Sequence, residues 1–262
     1  MPGYLLKHEL IDVEGVSALN IRSLLDRQQY ADPLGRAEAL GISSAAWPLF
    51  GLVWPSGVFL AEAMVRRPVL ARERILELGC GLALASLVSH WRGADVTASD
   101  CHPLAGEFLL ENLRLNDLLP MTYCHGDWSE PQDAVRSADT GTGPGTGSHL
   151  SPKVSGLFDL IIGSDVLYER DEVGVLPDFI GRHGSADGEV IIIDPNRSNR
   201  SPFHRRMAAM GYALTETPIR APLAARAAYS GRMLHYRRGR SAGSALPFPT
   251  TSTGGPAWPK KN

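Results

Sequence analysis

The chain is poor in cysteine, with three among 262 residues. That is too few for a disulfide framework, so a reducing cytoplasm is the expected compartment. It has no apolar run near the roughly 18 residues a membrane span requires, and no membrane partner is expected. Its opening, Met1-Pro2-Gly3-Tyr4-Leu5-Leu6-Lys7-His8-Glu9, lacks a basic start followed by an apolar stretch, so no secretory signal is expected there. Neither charge dominates: 26 Lys plus Arg stand against 28 Asp plus Glu, for a net charge of −2. That balance gives no electrostatic case for nucleic acid as the main partner. What is present is a core, since hydrophobic residues make up 44% of the chain. One domain with appendages is the expected organisation.

Two stretches are unlike folded structure. Residues 140–148, Thr-Gly-Thr-Gly-Pro-Gly-Thr-Gly-Ser, hold no core anchor and read as a flexible loop inside an insertion near 129–157. The tail 241–262 is rich in Pro, Gly, Ser and Thr and is expected to be disordered. Residues 1–70 read as an N-terminal cap or lid. Within them Leu19–Arg22 resembles a strand, and Leu49–Met64 is apolar and aromatic with two prolines.

Residues 71–240 alternate regularly. Apolar strand candidates at Arg74–Leu78, Asp95–Ser99, Met121–Cys124, Phe158–Gly163 and Glu189–Ile193 are separated by helical segments at Ala83–Trp91, Pro103–Asn116 and Val173–Ile180. This spacing predicts βαβ units and a parallel sheet. After a helix at Ser201–Met210 come two late strands, Gly211–Ile219 and Met233–Arg237, with no full helix between them, so the last is expected to run antiparallel.

The chemistry gathers where these strands end. Ile75-Leu76-Glu77-Leu78-Gly79-Cys80-Gly81-Leu82-Ala83 runs from a strand through a glycine turn into a helix. Glycine permits the tight turn and lets a ligand approach the backbone. A dinucleotide fingerprint needs a third glycine at position 84, which is Leu84, and no Lys-Ser/Thr pair follows to form a phosphate loop. Glu77 would repel a pyrophosphate and attract an ammonium, which favours S-adenosylmethionine, a ligand with an ammonium, a sulfonium and no phosphate. Asp100 ends the second strand, where an acid accepts from ribose hydroxyls or caps the helix that follows. Gly126-Asp127-Trp128 follows the third strand; Asp127 suits an adenine amine and Trp128 an apolar ring face. Cys80, Cys101 and Cys124, with His102 and His125, lack close metal-ligand spacing, and no metal is expected. Arg197, Arg200, Arg205 and Arg206 read as a solvated basic patch.

Glu77-Leu78-Gly79-Cys80-Gly81, Asp100 and Asp127, at the ends of three successive strands, resemble the class I, seven-stranded S-adenosylmethionine-dependent methyltransferases over roughly residues 45–238. The resemblance implies an α/β, doubly wound, Rossmann-like sheet of order 3-2-1-4-5-7-6 with strand 7 antiparallel. The chain departs at Ala83, where the family often has a third glycine. Asp159–Tyr168, containing Ser164-Asp165-Val166-Leu167-Tyr168, resembles the fourth strand and Asp-x-x-Tyr motif of the protein-lysine methyltransferase branch. Trp47–Gly57 resembles that branch's pre-core segment, which implies that Trp54 lies over the cofactor. Ile192–Arg197 is similar to the fifth-strand end of enzymes that methylate an electron-transfer-flavoprotein subunit.

The implied cofactor set is Trp54, Glu77, Gly79, Gly81, Asp100, Asp127, Trp128 and Ser164, with Asp165 and Tyr168 as catalytic residues. The Asp165 carboxylate would orient an acceptor amine and stabilise the charge that grows on nitrogen, or else cap the next helix. Tyr168 would shape the channel, donate to Asp165, or simply pack. A protein lysine is the expected acceptor, with a small-molecule amine or hydroxyl, or cofactor binding without turnover, as alternatives.

Overall fold

The structure is a computed structural model that describes residues 3–129, 152–167, 171, 173–220 and 228–239. The loop 140–148, Tyr168 and the tail 241–262 lie outside the described residues.

In chain order the elements are β1 (Leu6–Ile11), β2 (Leu19–Leu24), a short α1 (Arg36–Ala39), a 3-10 turn at Trp47–Gly51, α2 (Pro55–Arg66), β3 (Arg74–Leu78), α3 (Leu84–Trp91), β4 (Asp95–Asp100), α4 (Ala105–Leu115) and β5 (Thr122–His125). After the insertion come β6 (Phe158–Ser164), α5 (Val175–His183), β7 (Gly184–Asp194), α6 (Arg200–Ala209), β8 (Ala213–Arg220) and β9 (Ser230–Arg237). The strands from β3 onward form one seven-stranded sheet ordered β5-β4-β3-β6-β7-β9-β8. Only β9 runs against its neighbours, β7 and β8. Counted within the sheet, this is the expected order 3-2-1-4-5-7-6 with the seventh strand antiparallel.

The two-residue period of the central strands builds a core on each face. Ile75, Leu160, Ile162, Ile191 and Ile193 pack with residues of α2, α3 and α4. Leu76, Ile161, Val190 and Ile192 point the other way, toward Leu176, Phe179 and Ile180 of α5 and Phe203 and Met207 of α6. β7 starts at Gly184 rather than Glu189 because no loop separates it from α5.

The apolar, proline-containing segment before the core is helical. Pro55 occupies the first turn of α2, where its missing N–H costs nothing. The β1–β2 hairpin is tied to α4 by side-chain amides. Asn116 Oδ1 accepts from the Asn20 N–H at 2.9 Å, its Nδ2 donates to the Asn20 carbonyl at 2.9 Å, and Asn112 Oδ1 accepts from the Arg22 N–H at 2.8 Å. These amides satisfy the strand edge that a third strand would otherwise cover.

Candidate active site

The carboxyl ends of β3, β4, β5 and β6 open into one cavity of about 610 Å³. Glu77, Gly79, Gly81, Asp100, Asp127 and Trp128 line it, as do Trp54, Ser164 and Asp165. The structure thus brings together every site residue expected from the sequence that falls among the described residues. Phe50, His102, Arg27 and Arg197 line it too, and no motif in the sequence marks them for it.

The turn after β3 is left-handed at alternate residues, with φ of 54° at Gly79, 51° at Gly81 and 59° at Ala83. A Cβ at Gly81 would stand 2.8 Å from the Phe50 carbonyl oxygen, and one at Gly79 would stand 3.2 Å from Val166 and 3.6 Å from Trp128. The cost of Ala83 in place of glycine therefore falls on its backbone conformation as well as on one added methyl. Asp100 braces this turn. Its Oδ2 accepts from the Gly81 N–H and its Oδ1 from the His102 N–H, each at 2.8 Å. It does not cap α4, which has no side-chain cap. Each oxygen keeps a lone pair for a further donor.

Glu77 is buried on the α3 side of β3. Its Oε2 accepts from the Ser86 N–H at 2.8 Å and from the Ser86 hydroxyl. Burial nevertheless pushes its carboxyl up to about 7, with the nearby Asp100 charge adding to the rise against the Ser86 bonds. Burial also raises Asp100, against its backbone hydrogen bonds. Two buried acids side by side make a site that gains from an incoming cation or from hydroxyl donors. His102 stacks on Phe50 with ring centroids 3.6 Å apart, and burial lowers it to about 3, so it adds no charge near neutral pH.

Asp127 Oδ1 accepts from the Ser129 N–H at 2.8 Å and the Ser129 hydroxyl at 2.6 Å. The buried Trp128 Nε1 has no hydrogen-bond partner among the described residues. Trp54 donates its indole N–H to the Leu49 carbonyl at 2.8 Å, and the Arg27 guanidinium lies 4.9 Å from its ring centroid. Ser164 Oγ lies 3.5 Å from where a Cβ on Gly57 would sit.

Asp165 follows β6 with φ 59°, a left-handed conformation held by its N–H bonding the Ile193 carbonyl at 3.0 Å. Its Oδ1 accepts from Arg197 at 2.7 Å (Nη2) and 3.2 Å (Nε). The first turn of α5 is served by Asp171, which accepts from the N–H groups of Gly174, Val175 and Leu176 at 2.7–2.9 Å. Arg197 and Arg200 are not a solvated patch: Arg197 pairs with Asp165, and Arg200 Nε lies 3.4 Å from buried Asp194. Sequence alone hid this, because the turn that aims Arg197 depends on Asn196 at φ 61°. No group of His, Cys, Asp and Glu among the described residues is arranged to hold a metal ion.

No family model matches the chain. Over 176 residues it is 27% identical to the electron transfer flavoprotein beta subunit lysine methyltransferase of Xenopus laevis, covering 65% of this chain and 63% of that protein. Over 143 residues it is 31% identical to protein N-lysine methyltransferase METTL21A of Mus musculus, covering 54% of this chain and 58% of that one. The chain therefore spans less than two thirds of the length of these curated relatives. A solved Streptococcus mutans protein, described as a candidate S-adenosylmethionine-dependent methyltransferase, superposes with a TM-score of 0.54 at 12% identity, covering 88% of this chain and 55% of that one. The fold is that of the class I methyltransferases. In this methyltransferase fold the cavity lies at the carboxyl ends of the parallel strands, where open α/β sheets bind their ligands. No helix among the described residues is long and apolar enough to cross a membrane.

Proposed function

We propose that this chain is an S-adenosylmethionine-dependent methyltransferase acting on nitrogen, with a protein lysine as acceptor, in the cytoplasm. The observation that carries the reading is the set of three acids, Glu77, Asp100 and Asp127, delivered to one cavity by three adjacent strands. Similarity to lysine methyltransferases over 65% of the chain supports the acceptor class. A cysteine content of three, too low for a disulfide framework, is in keeping with the compartment.

The residues present fit the cofactor. Gly79 and Gly81 leave open the space a Cβ would fill. Glu77, buried with no cation beside it among the described residues, would gain one from the ligand's ammonium. Asp100 has lone pairs for the ribose hydroxyls, Asp127 and Trp128 would hold the adenine, and Ser164 and Trp54 would wall the methyl side. When bound, S-adenosylmethionine supplies an electrophilic methyl group on sulfur.

The chain's own residues then have to hold an amine in line with that methyl and exclude water. Asp165 offers Oδ2 to an amine N–H and stabilises the charge that grows on nitrogen. Trp54 narrows the mouth.

Incubating the purified protein with tritiated S-adenosylmethionine and a cell lysate tests the reading. Label in a protein band supports it. Label in small molecules transfers the acceptor to that class, and no label at all removes turnover.

A further inference from the structure

Resting on the amine-methylation reading, we propose that Arg197 masks the charge of Asp165, so that the acceptor site takes an amine in its neutral form and disfavours cations. The pair is built, not incidental. Asp194, fully buried at the end of β7, accepts from the Arg197 N–H through Oδ2 at 2.9 Å. Asn196 fixes the turn from the other side: its Nδ2 donates to Ser230 Oγ and its Oδ1 accepts from Arg232 Nε, both at 3.1 Å. Asp165 is held in its own left-handed turn by Ile193, as noted above. Such conformations persist where the surroundings over-determine them, and they cluster at functional sites. Two turns, one after β6 and one after β7, thus aim an acid and a guanidinium into the same cavity.

Both Arg197 bonds land on Oδ1, and among the described residues none is made to Oδ2. One oxygen carries the cation and the other remains to orient an amine. The need for the mask follows from acid–base chemistry. A lysine amine titrates near 10.4, so only about one molecule in a few thousand is neutral at pH 7. A bare carboxylate would lower that fraction further by stabilising the ammonium, and a guanidinium in contact acts in the opposite direction. The acceptor's proton leaves to solvent. The nitrogen lone pair then forms the new N–C bond as the donor's S–C bond breaks, and the positive charge passes from sulfur to nitrogen.

The other charged groups around the pair leave this balance in place. Asp194, from the end of β7, is matched by Arg200 of α6, which also lies 3.7 Å from Glu216 of β8. Glu216 in turn pairs with Arg232 of β9 at 2.9 Å. Tyr229, bonded to Ser56 of α2 at 2.8 Å, is pushed by burial up to about 12 and stays neutral near physiological pH. Arg27 lines the cavity as well.

The test compares full-length wild type, Arg197→Gln and Arg197→Lys. Plateau methylation rates are measured across pH with tritiated S-adenosylmethionine and the protein fraction of a heat-treated lysate. Calorimetry measures binding of S-adenosylhomocysteine, and of Nε-trimethyllysine amide to the homocysteine complex. In Arg197→Gln the acid limb of the rate profile should move up by about one pH unit. Trimethyllysine amide should bind that variant roughly tenfold more tightly, the equivalent of that shift. Arg197→Lys should keep the limb near wild type, and S-adenosylhomocysteine affinity should stay within about twofold in both variants. An unmoved limb with a uniformly lower rate, or unchanged trimethyllysine amide binding in folded Arg197→Gln, overturns the proposal while wild type remains an active methyltransferase. A wild type that transfers no label at any pH takes down the methylation reading itself, and the proposal with it.

Discussion

Asp165 Oδ1 and Arg197 Nη2 meet at 2.7 Å, joining the turn after β6 to the turn after β7 at the edge of the cavity. The carboxylate is 14% exposed and the guanidinium 35%, so the pair is reachable by a ligand and partly screened by water. Its interest is chemical more than energetic, since it fixes where an acceptor's nitrogen meets a negative oxygen.

Asp165→Asn keeps the size and the hydrogen-bonding oxygen, and asparagine tolerates the left-handed backbone found there. The methyl-transfer rate should fall by about 10²–10³, the range for removing one well-placed electrostatic group. Cofactor affinity should change little, because Glu77 and Asp100 lie on other strands. Initial rates and calorimetry on the same preparation check both halves. Full activity would move the chemistry to another residue.

Glu77 carries a pH signature. Burial raises its carboxyl from 4.5 to about 7, so the ligand-free fold binds that proton more tightly than the unfolded chain does. The resulting stability is complete below the ordinary carboxylate range and is lost as pH rises through about 7. Glu77→Gln should flatten that part of the melting-temperature profile and be no less stable than wild type above it. A bound ammonium should hold Glu77 ionised, so cofactor binding near neutral pH should release protons, seen as a buffer-dependent heat. Glu77→Gln should abolish that release and weaken binding by about 1.5–3 kcal/mol.

Two glycines separate backbone strain from crowding. Gly93 has φ 82° with nothing within 4 Å of a would-be Cβ, whereas Gly81 has φ 51° and the Phe50 oxygen at 2.8 Å. Gly93→Ala should lose about 1–2 kcal/mol, the left-handed cost alone. Gly81→Ala should lose more and also weaken cofactor binding, as read by denaturant melts and calorimetry. Equal losses would mean that the turn can move away from Phe50.

Asp171 serves as the control acid. It supports the first turn of α5 through three N–H groups, so Asp171→Ala should reduce stability by about 0.5–2 kcal/mol. The methyl-transfer rate of the folded variant should remain near wild type. A large rate loss without a stability change would place Asp171 in the chemistry.

The sheet was legible because its inner strands are largely apolar and end in glycine or acid, as at Leu76–Gly79, interrupted only by Glu77, and at Ile161–Asp165. Those endings also marked the cavity, since strand ends in this fold converge. β1 was not legible: His8 and Glu9 interrupt its alternation, and the hairpin it forms is secured by Asn112 and Asn116 from about ninety residues away. Arg197 was misread for a similar reason. In sequence it stands among other arginines, and only the tertiary meeting of two turns shows that it faces an acid. The helix-cap alternative for Asp165 was reasonable from spacing, but α5 starts later, at Val175, with its first turn held by Asp171.

Whether this cavity methylates a lysine side chain is read from the chemistry of the labelled residue. Protein labelled with tritiated S-adenosylmethionine is acid-hydrolysed and its amino acids separated. Tritium should elute with Nε-methylated lysine and be almost completely lost with Asp165→Asn. Tritium in methylated arginine or in the small-molecule fraction, or lysine label undiminished in Asp165→Asn, would contradict it.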